Sequence, residues 1–312
     1  MTGRARMRGR IASIVIAIAA AALAPRPVGA VVVVDDAGRS VVVERPPERV
    51  VTLAPSLAEL VFAAGAGRSL VGVSELSDYP AEARAIARIG DAGRVDVERV
   101  LALRPDLVIV WQRGNVAREI EQLERAGVRL FQLAPQRLDE VARAIERLGA
   151  LLGHEASATR RAAELRTSLA RLRAAHASAA PVRVFYQVWQ QPLMTVNRRQ
   201  IIDDILGVCA GTNVFADLAP LVPTVSTEAV VTADPEAILT ASEQTGAAAW
   251  RRDPDSAAFA LWRRQPRLTA VRHGWLYTLD GDLISRQGPR IVDGAAAVCS
   301  VLDEVRRERA AR

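Results

Sequence analysis

The sequence predicts an α/β protein of two Rossmann-like lobes with parallel sheets, joined by one long rigid α-helix. Three observations carry that expectation. Short apolar runs alternate with amphipathic helical segments, the rhythm of parallel sheets covered on both faces. A unit repeats at an offset of about 130 residues: Glu98 lies seven positions before Pro105-Asp106-Leu107-Val108-Ile109-Val110, and Glu228 seven before Pro235-Glu236-Ala237-Ile238-Leu239. Each copy reads as a short helix with an exposed acid, a Pro turn and a buried strand. Between the copies lies an Ala- and Arg-rich stretch with Leu165, Leu169 and Leu172 at helical spacing. Two similar lobes imply a cleft between them.

The elements follow in order. Val31–Val34 and Ser40–Val43 flank Asp35-Asp36-Ala37-Gly38-Arg39 and read as a β-hairpin. Residues 49–53 form a buried strand, and Ala54-Pro55-Ser56 turns into a helix over 57–62. Strand Leu70–Val73 and the loop 74–80 precede the first copy of the repeat, which ends at Val110. Helices at 116–126 and Leu138–Leu152 flank strand Leu130–Leu133. Residues 153–180 predict one helix of about 25 residues, on the order of 37 Å long. Its composition is not that of a flexible tether. After Pro181 the strand pattern restarts with Val182–Gln187. The expected lobes are therefore 31–152 and 181–312, with 153–180 connecting them.

Residues 1–30 read as a secretory signal: Arg4, Arg6, Arg8 and Arg10, an apolar run over 11–23, then Val28-Gly29-Ala30. That run is short of the roughly 20 residues a bilayer needs, and no Cys follows it for lipid attachment. A mature, exported and soluble chain starting near Val31 is expected. The segment holds five Arg and no acid, so its removal takes the formal charge from +6 to +1. No nucleic-acid partner is implied, because no recognisable binding motif remains. The basic residues are all Arg with no Lys, which reflects genome composition rather than function. Cys209 and Cys299 both lie in the second half. An even count in an oxidising compartment favours a disulfide over two buried thiols, and neither Cys has the spacing of a metal ligand.

Ligands of open parallel sheets gather outside the carboxyl ends of the strands. Those tips are Pro55-Ser56, residues 74–79, residues 111–115 and Val188-Trp189-Gln190. They offer indoles, amides and hydroxyls, which suit a large ligand held by stacking and hydrogen bonds. Trp111 and Trp189 occupy corresponding tips, either in the pocket or packed on the rims of their own lobes. Trp250, Trp262 and Trp275 read as core. No catalytic set appears, so no enzyme is expected. His154, His176 and His273 lack a Cys or carboxylate at ligand spacing and read as solvated surface. Gly65-Ala66-Gly67 follows a helix and lacks the third glycine of a dinucleotide fingerprint, and neither a phosphate loop nor a GxSxG elbow is present.

These residues resemble the periplasmic solute-binding proteins of ABC importers in the class with one rigid helix between the lobes (class III), and within it the cobalamin binders. The resemblance covers nearly all of the chain after the leader. In the first lobe it rests on Val71-Gly72-Val73-Ser74 with Ser77-Asp78-Tyr79-Pro80, on the run from Val97 to Ile109, and on Trp111 with Gly114-Asn115. In the second it rests on Arg183-Val184-Phe185, Val208-Cys209-Ala210-Gly211, Asn213-Val214-Phe215, Val225-Ser226-Thr227-Glu228 and Gly288-Pro289-Arg290 before Cys299. By resemblance, Trp111 lines a corrinoid pocket, and Asp282 with Arg286 forms a polar pair facing the ligand from the other lobe. Glu98 and Glu228 correspond to the acids that dock on arginines of a membrane permease. Cys209 and Cys299 match a disulfide pair.

The implied function is capture of a cobalamin-like corrinoid by a monomeric receptor and delivery to the permease. Ser56, Asp78, Trp111, Gln112, Trp189, Asp282 and Arg286 are the expected ligand contacts. Cobalt would arrive inside the ligand, so no metal ligand or resident cofactor is expected of the protein. Leu76, Ala92 and Val222 stand where the cobalamin binders carry pocket aromatics. An iron siderophore or haem is the rival ligand, and Arg113, Arg198, Arg199 and Arg286 could converge on its negative charge. An exported enzyme or chelatase would be limited to Glu75, Asp78 and Asp282, and a sensor would use the two acids to dock a signalling protein.

Overall fold

The computed structural model describes residues 30–91, 93–112, 117–242 and 248–312. Residues 1–29, where a secretory signal is expected, lie outside them, as do Ala92, Arg113, Gly114 and Asn115. Two five-stranded sheets form the framework. The first runs in the order Ala87–Arg88, Leu70–Val73, Val50–Thr52, Leu107–Trp111 and Leu130–Leu133, all parallel. In the second, Gly211–Asn213, Val182–Gln187, Ala237–Ser242 and Leu276–Asp280 are parallel, and Trp250–Arg252 closes one edge antiparallel. That edge departs from the parallel order expected. An edge strand need not bury both faces, and Arg252 is held there by the carbonyls of His273 and Gly274 at 2.5 and 2.8 Å.

Helices α1 (Pro55–Ala64), α2 (Val97–Ala102), α3 (Ala117–Arg125) and α4 (Leu138–Leu152) belong to the first sheet. The period of two along each strand divides its residues between two faces. Val50 and Ile109 join α1 and α4 in one core, whereas Val51, Val108 and Val110 join Val100 of α2 and Leu123 of α3 in another. In the second sheet Val182, Val184 and Tyr186 face α6 (Ile201–Val208) and the C-terminal helix Ile291–Ala310. Phe185 and Ile238 face Val230 of α7 (Thr227–Ala233), with Phe259 and Trp262. Both sheets are thus wrapped on two sides.

Helix α5 (Glu155–His176) lies between them, 22 residues and about 33 Å long. Ala158, Ala162, Leu165 and Leu169 are buried along one stripe. This stripe belongs to the same continuous core that contains α1 and α4 of the first lobe and α6 and the C-terminal helix of the second. The helix is shorter than the 153–180 expected. Gly153 takes a left-handed φ of 75° and closes α4 instead, where a Cβ would stand 2.7 Å from Pro46.

The repeat of Glu98 and Glu228 extends to a complete corner. Asp96 caps α2 through the backbone N–H of Arg99, and Ser226 caps α7 through that of Ala229. Each helix then ends at a left-handed residue, Arg104 at φ 46° and Asp234 at φ 39°. The acids after the prolines, Asp106 and Glu236, accept the backbone N–H groups of Arg49 and Arg183 on the neighbouring strand at 2.9 Å each. The guanidinium groups of Arg49 and Arg183 in turn donate to the carbonyls of Leu103 and Ala233. Helix, turn and strand are locked together the same way in both lobes.

Cys209 at the end of α6 and Cys299 in the C-terminal helix form a disulfide with their Cα atoms 4.7 Å apart. The bridge spans a sequence separation of 90 residues. On the chain-entropy model such a loop contributes about 4–5 kcal/mol. Cys299→Ser is therefore expected to lower the urea midpoint by that equivalent, and reductant should do the same to the unmodified protein. An unchanged midpoint would mean that helix packing alone sets stability here.

Candidate ligand-binding cleft

Chain order reverses in the first sheet between Val50–Thr52 and Leu107–Trp111, and in open α/β sheets ligands bind beyond the carboxyl ends at such a point. Ser56, in the first turn of α1, lies on one side and is buried. Trp111 and Gln112 lie on the other. Trp111 is half-buried and packs against the main core, and Gln112 is exposed while its backbone N–H donates to the Leu133 carbonyl at 3.1 Å. In the second sheet the reversal falls between Val182–Gln187 and Ala237–Ser242. Trp189 stands just past the first of these, 63% exposed, with its indole N–H on the Gln191 carbonyl at 2.9 Å. Trp262 and Trp275 are buried, and Trp250 packs edge-on against Tyr277, in keeping with their reading as core.

Exposed apolar side chains stand at the tips of both lobes. Of nine large hydrophobic side chains left exposed among the described residues, Leu76 and Tyr79 follow Leu70–Val73, and Val188 and Trp189 follow Val182–Gln187. Each lobe thus offers an uncovered apolar pair at a strand end, as expected of ligand-facing walls. Leu76, at one of the positions lacking an aromatic, is 71% exposed at a left-handed φ of 61°. Tyr79, three residues on, supplies an aromatic ring, with the Arg290 guanidinium 4.2 Å above it. The loop is shaped from within by the Ser74 and Ser77 hydroxyls, 3.2 Å apart, and by Arg88, which donates to the Ser77 carbonyl at 2.9 Å. Val222 is half-buried.

A charged cluster joins the two lobes across this cleft. Arg286 donates through one nitrogen to Asp78 at 2.8 Å and approaches Glu59 at 3.4 Å, and its other terminal nitrogen lies 2.7 Å from Asp282. Arg290 grips both oxygens of Glu59, at 2.7 and 3.0 Å. Three of the expected contacts, Asp78, Asp282 and Arg286, are therefore brought together. Two further members, Glu59 and Arg290, were missed as site residues. The signal for Glu59 was present: an acid inside Leu57-Ala58-Glu59-Leu60-Val61 faces the core, here at 1% exposure, and a buried carboxylate needs a partner. Gly288 allows that partner in, since a Cβ there would stand 3.2 Å from a Glu59 oxygen.

The cluster separates its two half-buried acids electrostatically. Burial pushes the Asp78 carboxyl up, but the hydrogen bond and charge of Arg286 outweigh it and hold Asp78 below the usual carboxylate range. Asp282 moves the other way. Burial raises it, and the neighbouring Asp78 and Asp280 carboxylates add to that against the pull of Arg286 and Arg290. A second bond between lobes lies nearby. Asp204 of α6 accepts from Arg137 at 2.7 Å and from the backbone N–H of Leu138 at 2.8 Å, so one lobe caps a helix of the other.

The remaining candidates lie apart from this cluster. Glu98 and Glu228 are exposed in the first turns of α2 and α7. Glu228 sits below its usual pKa because its own backbone N–H and the Ser226 hydroxyl favour the carboxylate. Of the arginines offered for an anionic ligand, Arg113 lies outside the described residues, Arg198 pairs with Asp217, Arg199 donates to the Ala219 carbonyl at 2.5 Å, and Arg286 belongs to the cluster. Two histidines correct the reading of solvated surface. His176 places its ring nitrogens 2.8 Å from the Leu172 carbonyl and 3.2 Å from Asp303, pinning α5 to the C-terminal helix. His273 stacks on Trp275 with centroids 4.6 Å apart. Their partners are remote in sequence or set by a turn, which residue spacing does not reveal. His154 is exposed, as expected.

The profile of the periplasmic binding protein family matches residues 50–283. The vitamin B12-binding protein of Vibrio parahaemolyticus serotype O3:K6 is 34% identical over 264 residues, covering 85% of this chain and 92% of that protein. Among solved structures, the periplasmic vitamin B12 binding protein BtuF of Vibrio cholerae superposes with a TM-score of 0.74 at 32% identity, covering 83% of this chain and 98% of that one. The periplasmic heme-binding protein RhuT from Roseiflexus sp. RS-1 superposes with a TM-score of 0.69 at 25% identity, covering 81% and 98%. By its strand order, its helix-linked lobes and these likenesses, the chain belongs to the periplasmic binding protein family.

Proposed function

We propose that this protein is a periplasmic receptor that captures a cobalamin-like corrinoid between its lobes and delivers it to the permease of an ABC importer. The observation that carries the reading is the cleft itself: exposed apolar pairs from both lobes beside a polar cluster, in a chain one-third identical to vitamin B12-binding proteins over most of its length. A corrinoid presents a broad apolar face and a rim of amides. Trp189, Leu76, Tyr79 and Trp111 suit the face, and Ser56, Gln112, Asp78, Asp282 and Arg286 suit the rim. Cobalt travels within the ligand, so the protein supplies no metal ligand. Glu98 and Glu228 then serve as the docking acids, and the receptor acts as a monomer.

The test is a titration with cyanocobalamin and cobinamide, read by quenching of tryptophan fluorescence. Saturable quenching by either supports the reading. Quenching by an iron siderophore or haem, with no response to corrinoids, would replace it. Trp189→Ala is expected to weaken corrinoid binding by about 5- to 30-fold, because a stacked, desolvated indole contributes on the order of 1–2 kcal/mol. Competition measurements with labelled ligand would show this directly.

A further inference from the structure

The arrangement around Arg286 bears on which ligands the cleft refuses. Arg286 is flanked by carboxylates on both of its terminal nitrogens: Asp78 and Glu59 on one, Asp282 on the other. Arg290 is committed to Glu59 through two hydrogen bonds and lies 4.0 Å from Asp282. Within the cluster three acids face two guanidinium groups. Arg84 and Arg88 beside the loop donate to the carbonyls of Asp78, Ser74 and Ser77.

We propose that Asp78 and Asp282 set ligand charge specificity, by occupying Arg286 from both lobes so that the cleft rejects anionic metal chelates and admits neutral, amide-rich ones. A carboxylate or phenolate approaching Arg286 must either displace one of these acids or lie beside both. In a partly desolvated cleft each course is unfavourable, and like-charge juxtaposition is an effective means of excluding a wrong ligand. An amide meets no such opposition. It can accept from Arg286 and donate to either aspartate. The two acids come from different lobes, so the barrier exists only where the lobes face each other. This inference rests on the ligand reading above for the accepted class, but the excluded class follows from the cluster alone.

The experiment compares the unmodified protein with D78N/D282N, which keeps the shape of both side chains and one acceptor oxygen on each, and removes both charges. The side chains of Asp78 and Asp282 are 45% and 41% exposed, so the variant should fold. Circular dichroism and the urea midpoint check that it does, and Asp78→Asn alone serves if the pair does not. The anionic probe is haem, whose two propionates are ionised at neutral pH, followed by absorbance. The expected result is a gain of at least about tenfold in haem affinity, diminishing as salt is raised. Adding Arg286→Gln should abolish that gain. Unchanged or weaker haem binding by D78N/D282N overturns the proposal, as does a gain that survives Arg286→Gln. If the unmodified protein fails to bind cyanocobalamin, the corrinoid reading falls, and the haem comparison still decides the charge selection separately.

Discussion

A receptor carrying both Glu98→Arg and Glu228→Arg is expected to retain its ligand affinity and to support no uptake. Both acids are exposed in the first turn of a capped helix, where they support no buried contact, so their reversal should leave the fold intact. The two corners that carry them are built alike, with matching caps, left-handed ends and strand-to-helix bonds. Equivalent construction gives two equivalent anchoring points, one per lobe. Replacing attraction by repulsion at both points opposes docking on a basic partner surface by several kcal/mol. Each single reversal should leave partial uptake. Transport of labelled corrinoid into cells lacking their own receptor, beside a binding isotherm on the purified variant, separates the outcomes. Lost affinity would place these acids in the cleft or the fold instead.

Arg290→Leu is expected to destabilise the protein by about 3–5 kcal/mol, the range for stranding one member of a buried ion pair. Glu59 would be left at 1% exposure with only the longer contact to Arg286. The double variant Glu59→Leu with Arg290→Leu should recover much of the loss, because a buried pair replaced by apolar groups of similar volume is often neutral. Urea denaturation of the two variants measures this. Equal losses in both would show that Arg290 matters through its packing on Tyr79 rather than its charge.

The strands and helices were legible because burial repeats along the chain. Leu70–Val73, Leu130–Leu133, Leu138–Leu152 and Val182–Gln187 stand where their apolar pattern put them. The extent of α5 was not, since the sequence alone does not show that Gly153 turns left-handed to close α4, nor that Pro46, more than a hundred residues earlier, approaches so closely that a Cβ would not fit. The site was legible at its strand tips, which follow from topology alone. Its cluster was only half legible. Glu59 and Arg290 are separated by 231 positions and meet because the second lobe brings Gly288 against α1. No local pattern encodes such a meeting, although the acid within an apolar helix announces that a partner exists. The rim tryptophans differ for a related reason: how far a side chain such as Trp189 projects depends on its hairpin with Leu193–Met194 rather than on its neighbours in sequence.

The unbroken apolar core running from α4 through α5 into α6 has a consequence for how occupancy is reported. Wide opening would expose packed aliphatic surface on both sides of α5, so the empty and filled receptors should differ little in backbone conformation. Affinity is then not reduced by a rarely populated competent state, and the equilibrium constant reflects the cleft's contacts almost directly. The same stiffness leaves the spontaneous off-rate to be set by the cleft's contacts rather than by lobe opening. If the proposed importer docks on both lobes, it can hasten release only by straining a packed core that holds them where they are.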